Sequence, residues 1–123
     1  MAQDILTIDV STARNGEVHL FILGGSLDIA TSPTLRAALL EAADHGKHDL
    51  VVDLSKLEFV DSTGLGALIG AHKRATEKDG SVRLVAQEGQ ILRLLRITGL
   101  LGVFAVYRSL EDALVEEKRL IGL

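Results

Sequence analysis

The stretch LVVDLSKLEFVDSTGLGALIG, residues 50–70, passes from strand to turn to helix without a break. Leu50 to Leu54 is a short, almost continuous apolar run, the pattern of a strand covered on both faces at the centre of a parallel sheet. Asp61-Ser62-Thr63-Gly64 is a polar turn. After it Leu65, Leu68, Ile69 and His72 recur at helical spacing, running out near Asp79-Gly80. A buried strand that leads through a short turn into an amphipathic helix is half of a β-α-β unit. It predicts an α/β fold with a mostly parallel sheet.

Working toward the C-terminus, VRLVA at 82–86 reads as another strand. Ile91, Leu94, Leu95 and Thr98 give a third helix closed by Gly99, and VFAVY at 103–107 a further strand. Ser109 with Asp112 three residues on resembles a capping box and starts a last helix, 110 to about 121. Toward the N-terminus, Ser32-Pro33 reads as a helix start with serine as the cap, followed by Leu35, Ala38, Leu39 and Ala42 and stopped by Gly46. Residues 4 to 11 alternate, with Leu6, Ile8 and Val10 on one face and Thr7, Asp9 and Ser11 on the other. Asn15-Gly16 suits a tight hairpin turn. EVHLFIL at 17–23 is the return strand, covered on both sides and ended by Gly24-Gly25. The order is β-β-α-β-α-β-α-β-α, an N-terminal hairpin feeding alternating units, in a single domain over residues 1–123.

Composition narrows the function classes. The 123 residues carry 13 basic and 17 acidic side chains, net charge −4, with three Phe, one Tyr and no Trp. That is a poor balance for nucleic acid, whose phosphates call for basic patches. Cysteine is absent, which removes disulfides, thiolate metal sites and cysteine nucleophiles and agrees with a reducing cytosol. The N-terminal MAQDILTIDV, with Asp4, is not a signal peptide, and no apolar run is long enough to span a membrane. A soluble cytoplasmic domain is expected.

His45 and His48 lack a third partner at regular spacing and read as solvated loop residues, not a metal site. His72, on the apolar stripe of its helix, reads as a partly buried packing residue, and His19 carries no signal. Neither Gly24-Gly25-Ser26 nor Gly64-Leu65-Gly66 fits a nucleotide-binding signature, so no cofactor is expected. Ser62 sits at a strand-to-helix junction, yet the flanking glycines of a nucleophile elbow are incomplete, with Val60 two residues before it. His72 would lie about three turns away, roughly 15 Å, too far to act as its base. No catalytic residue is expected.

The turn then has two readings. Asp61 or Ser62 caps a helix, a contribution of about 1 kcal/mol, and spacing alone favours that. Against it, Asp61, Ser62 and Thr63 supply three capping side chains where one suffices. Gly64, Gly66 and Gly70 each lower helix propensity by about 1 kcal/mol relative to alanine and leave the first turns with low relief. Such a surface lets another chain, or a nucleotide phosphate, approach Ser62. A phosphate on Ser62 would add about −1.5 to −2 charge, which a helix N-terminus tolerates and a packed partner does not.

VVDLSKLEFVDSTGLGALIG, residues 51–70, resembles the signature of bacterial anti-sigma factor antagonists, the single-domain STAS proteins. Gly25-Ser26-Leu27-Asp28, Ile97-Thr98-Gly99-Leu100, and Phe104 to Tyr107 leading into Ser109-Leu110-Glu111-Asp112-Ala113-Leu114 agree with it. The resemblance covers essentially the whole chain, and Asp61-Ser62-Thr63-Gly64-Leu65 is its most specific part. It implies the STAS fold: a small mixed, mostly parallel sheet of four or five strands with an N-terminal hairpin, packed by four to five helices. It also implies a non-enzymatic partner-switching protein of the bacterial stress response. The unphosphorylated form binds an anti-sigma factor that is also an ATP-dependent serine kinase of the GHKL type, freeing the sigma factor for transcription. The kinase phosphorylates Ser62 and a separate serine phosphatase reverses this. Asp61, Thr63 and Gly64 frame the acceptor, and Asp28 with Ser26 belongs to the partner-binding loop beside it. One position departs: the family usually has glutamate where Ser26 stands, which removes a possible ion pair with a basic partner and bears on partner choice. STAS domains also serve as structural subunits, docked permanently to a transporter ATPase or a stress-signalling scaffold, and that reading stays open beside the first.

Overall fold

A computed structural model of the chain describes residues 5–45 and 49–115. Gly46 and His48, the expected helix stop and second loop histidine, lie outside them, as does Asp4; the last helix, expected to run to about 121, ends at Leu114, where Val115 turns to extended backbone. Five strands, β1 (Leu6–Ala13), β2 (Val18–Leu27), β3 (Asp49–Val60), β4 (Ser81–Val85) and β5 (Ala105–Tyr107), form one sheet in the order β1-β2-β3-β4-β5. The hairpin β1–β2 is antiparallel and the other three pairings are parallel. Helices α1 (Ser32–Ala43), α2 (Ser62–Glu77) and α3 (Gln90–Ile97) make the crossovers, and α4 (Leu110–Leu114) follows β5.

Because every crossover steps one place in the same direction, right-handed connections put their helices on one face of the sheet. The core reflects this. Leu35 and Leu39 of α1, Leu65, Leu68 and Ala71 of α2, and Leu92 and Leu95 of α3 pack on Phe21, Leu23, Leu50, Val52, Leu84 and Val106. The opposite face carries a smaller cluster, Val18, Leu20, Val51, Val85 and Tyr107, under Ala113 of α4. β3 lies between β2 and β4 and is buried on both faces from Leu50 to Val52, as the apolar run requires.

Several element boundaries differ from the sequence reading. β2 does not end at Gly24-Gly25 but runs on to Leu27, and β3 continues to Val60, joined by two register shifts. The glycines are there for closeness to β1: a Cβ on Gly25 would stand 2.0 Å from the Ile5 carbonyl oxygen, and one on Gly24 2.7 Å from Thr7 Oγ1. α3 buries Leu92 and Leu95, whereas Ile91 and Leu94 are half-buried and Thr98 is exposed beyond its end. Residues 100–102 form a 3-10 turn with Leu100 buried and Leu101 half-buried, so the last strand is shorter than 103–107. His72 is partly buried, edge-on to Phe104 with ring centroids 5.1 Å apart. Ser109 caps α4, accepting from the Asp112 N–H at 3.0 Å.

Candidate functional site

The C-terminal ends of β2 and β3 are neighbours, with Leu27 opposite Val60. Each chain turns there into a helix, through residues 28–31 into α1 and through Asp61 into α2, so the two loops lie side by side. The Asp61 N–H donates to the Leu27 carbonyl at 3.2 Å. Gly64 is buried against the same residue: a Cβ there would stand 2.7 Å from Leu27 Cγ and 2.9 Å from both Leu27 O and Val60 Cγ2. Gly64 therefore faces inward and lets α2 sit on β2. The outer relief is set by Gly66 and Gly70, where an added Cβ meets nothing within 4 Å.

Asp61 is the cap of α2. Its Oδ1 accepts from the N–H groups of Thr63 and Gly64, at 3.0 and 3.1 Å, and from the Thr63 hydroxyl. The Thr63 hydroxyl most of all, then the Gly64 N–H, hold its carboxyl below the ordinary aspartate value, against a small opposing effect of burial. The Thr63 N–H and the Ile29 N–H of the neighbouring loop act in the same direction. Ser62 is not the cap. It is the first residue of α2, exposed, and its hydroxyl makes no hydrogen bond among the described residues. Two adjacent hydroxyls thus have opposite surroundings, one tied to a carboxylate and one open to solvent.

Asp28 turns inward and is only 7% exposed. Its Oδ1 accepts from the N–H groups of Ala30 and Thr31, at 2.9 and 3.0 Å, while its own N–H donates to Thr31 Oγ1. Ser32 was expected to cap α1, but its hydroxyl donates to the Asp28 carbonyl; Asp28 supplies the acceptor for this loop instead. Ser26 is half-buried at the end of β2, its N–H donating to the Ile5 carbonyl and its own carbonyl accepting from Thr31 Oγ1. Ser26 and Asp28 therefore build the loop, and what the loop presents outward is Ile29, 75% exposed.

A groove of ≈ 360 Å³ opens beside Thr63, between the first turns of α1 and α2, lined by Ile29, Pro33, Arg36, Thr63, Gly66 and Ala67 among others. Sequence reasoning missed Ile29, Arg36 and the half-exposed Phe59, which stands opposite Ser26. The available signal was an isolated apolar residue inside a polar capping loop, and an aromatic just before the turn. The arrangement offers one unhindered hydroxyl at a helix N-terminus, a fixed carboxylate next to it, and an apolar groove with one cation. No group of three metal-ligating side chains exists among the described residues, and no helix among them is long and apolar enough to cross a membrane.

Residues 9–113 match the family model of the STAS domain. The anti-sigma-B factor antagonist of Staphylococcus epidermidis is 30% identical over 106 residues, covering 86% of this chain and 98% of that protein. The crystal structure of an anti-sigma factor antagonist from Mycobacterium paratuberculosis superposes with a TM-score of 0.83 at 31% identity, over 92% of this chain and 94% of that one. The Bacillus cell fate determinant SpoIIAA in its phosphorylated form shares the fold, with a TM-score of 0.65 at 18% identity over 87% and 96% of the two chains.

Proposed function

The chain belongs to the STAS domain family, and from that premise we propose that it is an anti-sigma factor antagonist switched by phosphorylation of Ser62. It acts by binding in the bacterial cytoplasm. The unphosphorylated protein holds an anti-sigma factor that is itself an ATP-dependent serine kinase, and so releases the sigma factor. The relatives that carry the antagonist name are regulatory proteins, and this chain serves as binding partner and phosphorylation substrate, not as an enzyme.

One observation carries the choice of acceptor. Ser62 presents a free, exposed hydroxyl, whereas the neighbouring Thr63 hydroxyl is bonded to Asp61. A kinase that transfers the γ-phosphoryl group of ATP needs an oxygen it can reach in line and a proton it can remove. Ser62 Oγ meets both needs without breaking a bond of the fold; Thr63 Oγ1 would have to give up its carboxylate. Once ADP has left, the phosphate sits at the start of α2, where the helix dipole favours an anion. It also sits beside Asp61, already ionised, and beside the groove. A partner docked over the turn would have to strip water from a phosphate crowded against a second anion, which opposes docking while the core beneath is undisturbed. A separate serine phosphatase returns the protein to its binding form.

The test uses wild type, Ser62→Ala, Thr63→Ala and Ser62→Asp, each incubated with source-cell lysate and ATP, with phosphosites and retained proteins read by mass spectrometry. Wild type and Thr63→Ala are expected to be phosphorylated at residue 62. Ser62→Ala is expected to retain a GHKL-type ATPase without modification, and Ser62→Asp to lose it. If all four retain the same transporter or scaffold subunits and residue 62 stays unmodified, the switch reading fails and the surface is a permanent dock.

A further inference from the structure

The two edges of the sheet are unlike. β5 closes one side with three residues, too short to template another strand. β1 closes the other with eight, LTIDVSTA, holding no proline and no cation, with Asp9 the single charge. Proteins ordinarily blunt an open edge with a short strand, a proline or charged side chains. Among the described residues nothing pairs with the outer side of β1.

The register fixes which backbone groups face outward. Ser26 N–H donates to the Ile5 carbonyl at 2.8 Å, and the Leu6↔Gly25 register continued by one step puts these two residues opposite each other. Such a directly bonded pair alternates with non-bonded pairs along an antiparallel ladder. Odd-numbered residues therefore turn their N–H and C=O toward β2. Those of Leu6, Ile8, Val10 and Thr12 point away from the sheet. Val10, one of this set, is 59% exposed at the margin of a groove it lines with Ala38, Glu41 and Ala42 of α1.

We propose that β1 pairs antiparallel with β1 of a second copy of this chain, about a two-fold axis through Val10. Side-chain chemistry selects this register from its neighbours. Centring the axis on Asp9 would place two carboxylates opposite each other at the closest spacing in the ladder, which is unfavourable. Centring it on Ser11 would shorten the pairing. Centred on Val10, valine faces valine, Asp9 faces the hydroxyl of Ser11, and Ile8 faces Thr12. The contact is isologous, so it closes at two copies and does not propagate. The two sheets become one, and because the copies run antiparallel, the two Ser62 turns lie at opposite ends with both grooves open. The pairing is independent of what binds there.

The chain has no cysteine, so a single introduced thiol reports the register cleanly. Paired residues on the axis have Cα atoms about 5.5 Å apart, within disulfide reach. The two Thr12 residues would be about 14 Å apart at 3.4 Å per residue. Full-length Val10→Cys is expected to cross-link on mild oxidation and Thr12→Cys to remain largely unlinked. Wild type should show a concentration-dependent dimer in sedimentation equilibrium. Val10→Lys, which sets two cations face to face, should raise its dissociation constant by an order of magnitude or more, with an unchanged circular dichroism spectrum. A wild type that stays monomeric at every concentration overturns the proposal. So does a dimer that survives Val10→Lys, or equal cross-linking at both thiols.

Discussion

Asp61 gathers donors from its own turn and, through Ile29, from the loop before α1. The folded chain holds this carboxyl below the ordinary value, so the native state binds its proton less readily than the unfolded state. The resulting stability is fully present above the unfolded aspartate pKa of about 3.9 and is lost as pH falls through the lower folded value. Thermal melts from pH 7 to pH 3 should therefore show a smaller acid-induced fall in Tm for Asp61→Asn than for wild type. An equal fall would place the acid sensitivity elsewhere. The residue-level chemistry of the turn was only partly legible in the sequence. Three capping side chains in a row announced a special turn, but spacing does not say which oxygen is used. That depends on Asp61 having extended backbone and turning its carboxylate back over Thr63 and Gly64. Asp28 was singled out as part of the partner surface. It is a residue of that loop, with its carboxylate spent on Ala30 and Thr31.

At the scale of the element, α2 contains three glycines with two different reasons. Gly64 is pressed against Leu27 and Val60, and alanine there must displace backbone. Gly64→Ala should destabilise by about 1–3 kcal/mol. Gly66 and Gly70 meet nothing, so alanine at either should stabilise the free protein by about 0.5–1 kcal/mol through helix propensity alone. Urea midpoints of the three variants separate these cases; destabilisation by Gly66→Ala would show that its open space is used by the fold. Periodicity found the five strands and four α-helices of the described residues, though not the 3-10 turn at 100–102, because each βα unit switches clearly between a buried run and a helical stripe. It erred at ends. Gly24-Gly25 looked like a terminator because one chain's pattern cannot show the Ile5 carbonyl that a side chain would strike. In α3 the choice between Leu92 and Thr98 as a buried position rests on the angle at which a short helix crosses the sheet. That angle is a tertiary quantity.

For the whole molecule, the two clusters share β2, β3, β4 and β5, one on each side of the same backbone. Neither can come apart without the other, and unfolding should be a single transition. Tyr107, the sole tyrosine and 2% exposed, reports the smaller face, and far-ultraviolet circular dichroism reports the helices on the larger. Their denaturation curves should coincide. Leu84→Ala, which empties a fully buried position of the larger cluster, should shift both together by about 2–5 kcal/mol. Separate shifts would mean two independent halves. The strand order β1-β2-β3-β4-β5 is also the order of synthesis. A chain leaving the ribosome adds each new strand to an edge already in place, closing only one short crossover at a time. No strand waits for a distant partner, and the two loops that frame Ser62 meet as soon as β3 docks on β2. The turn can take shape while the last two strands are still being translated.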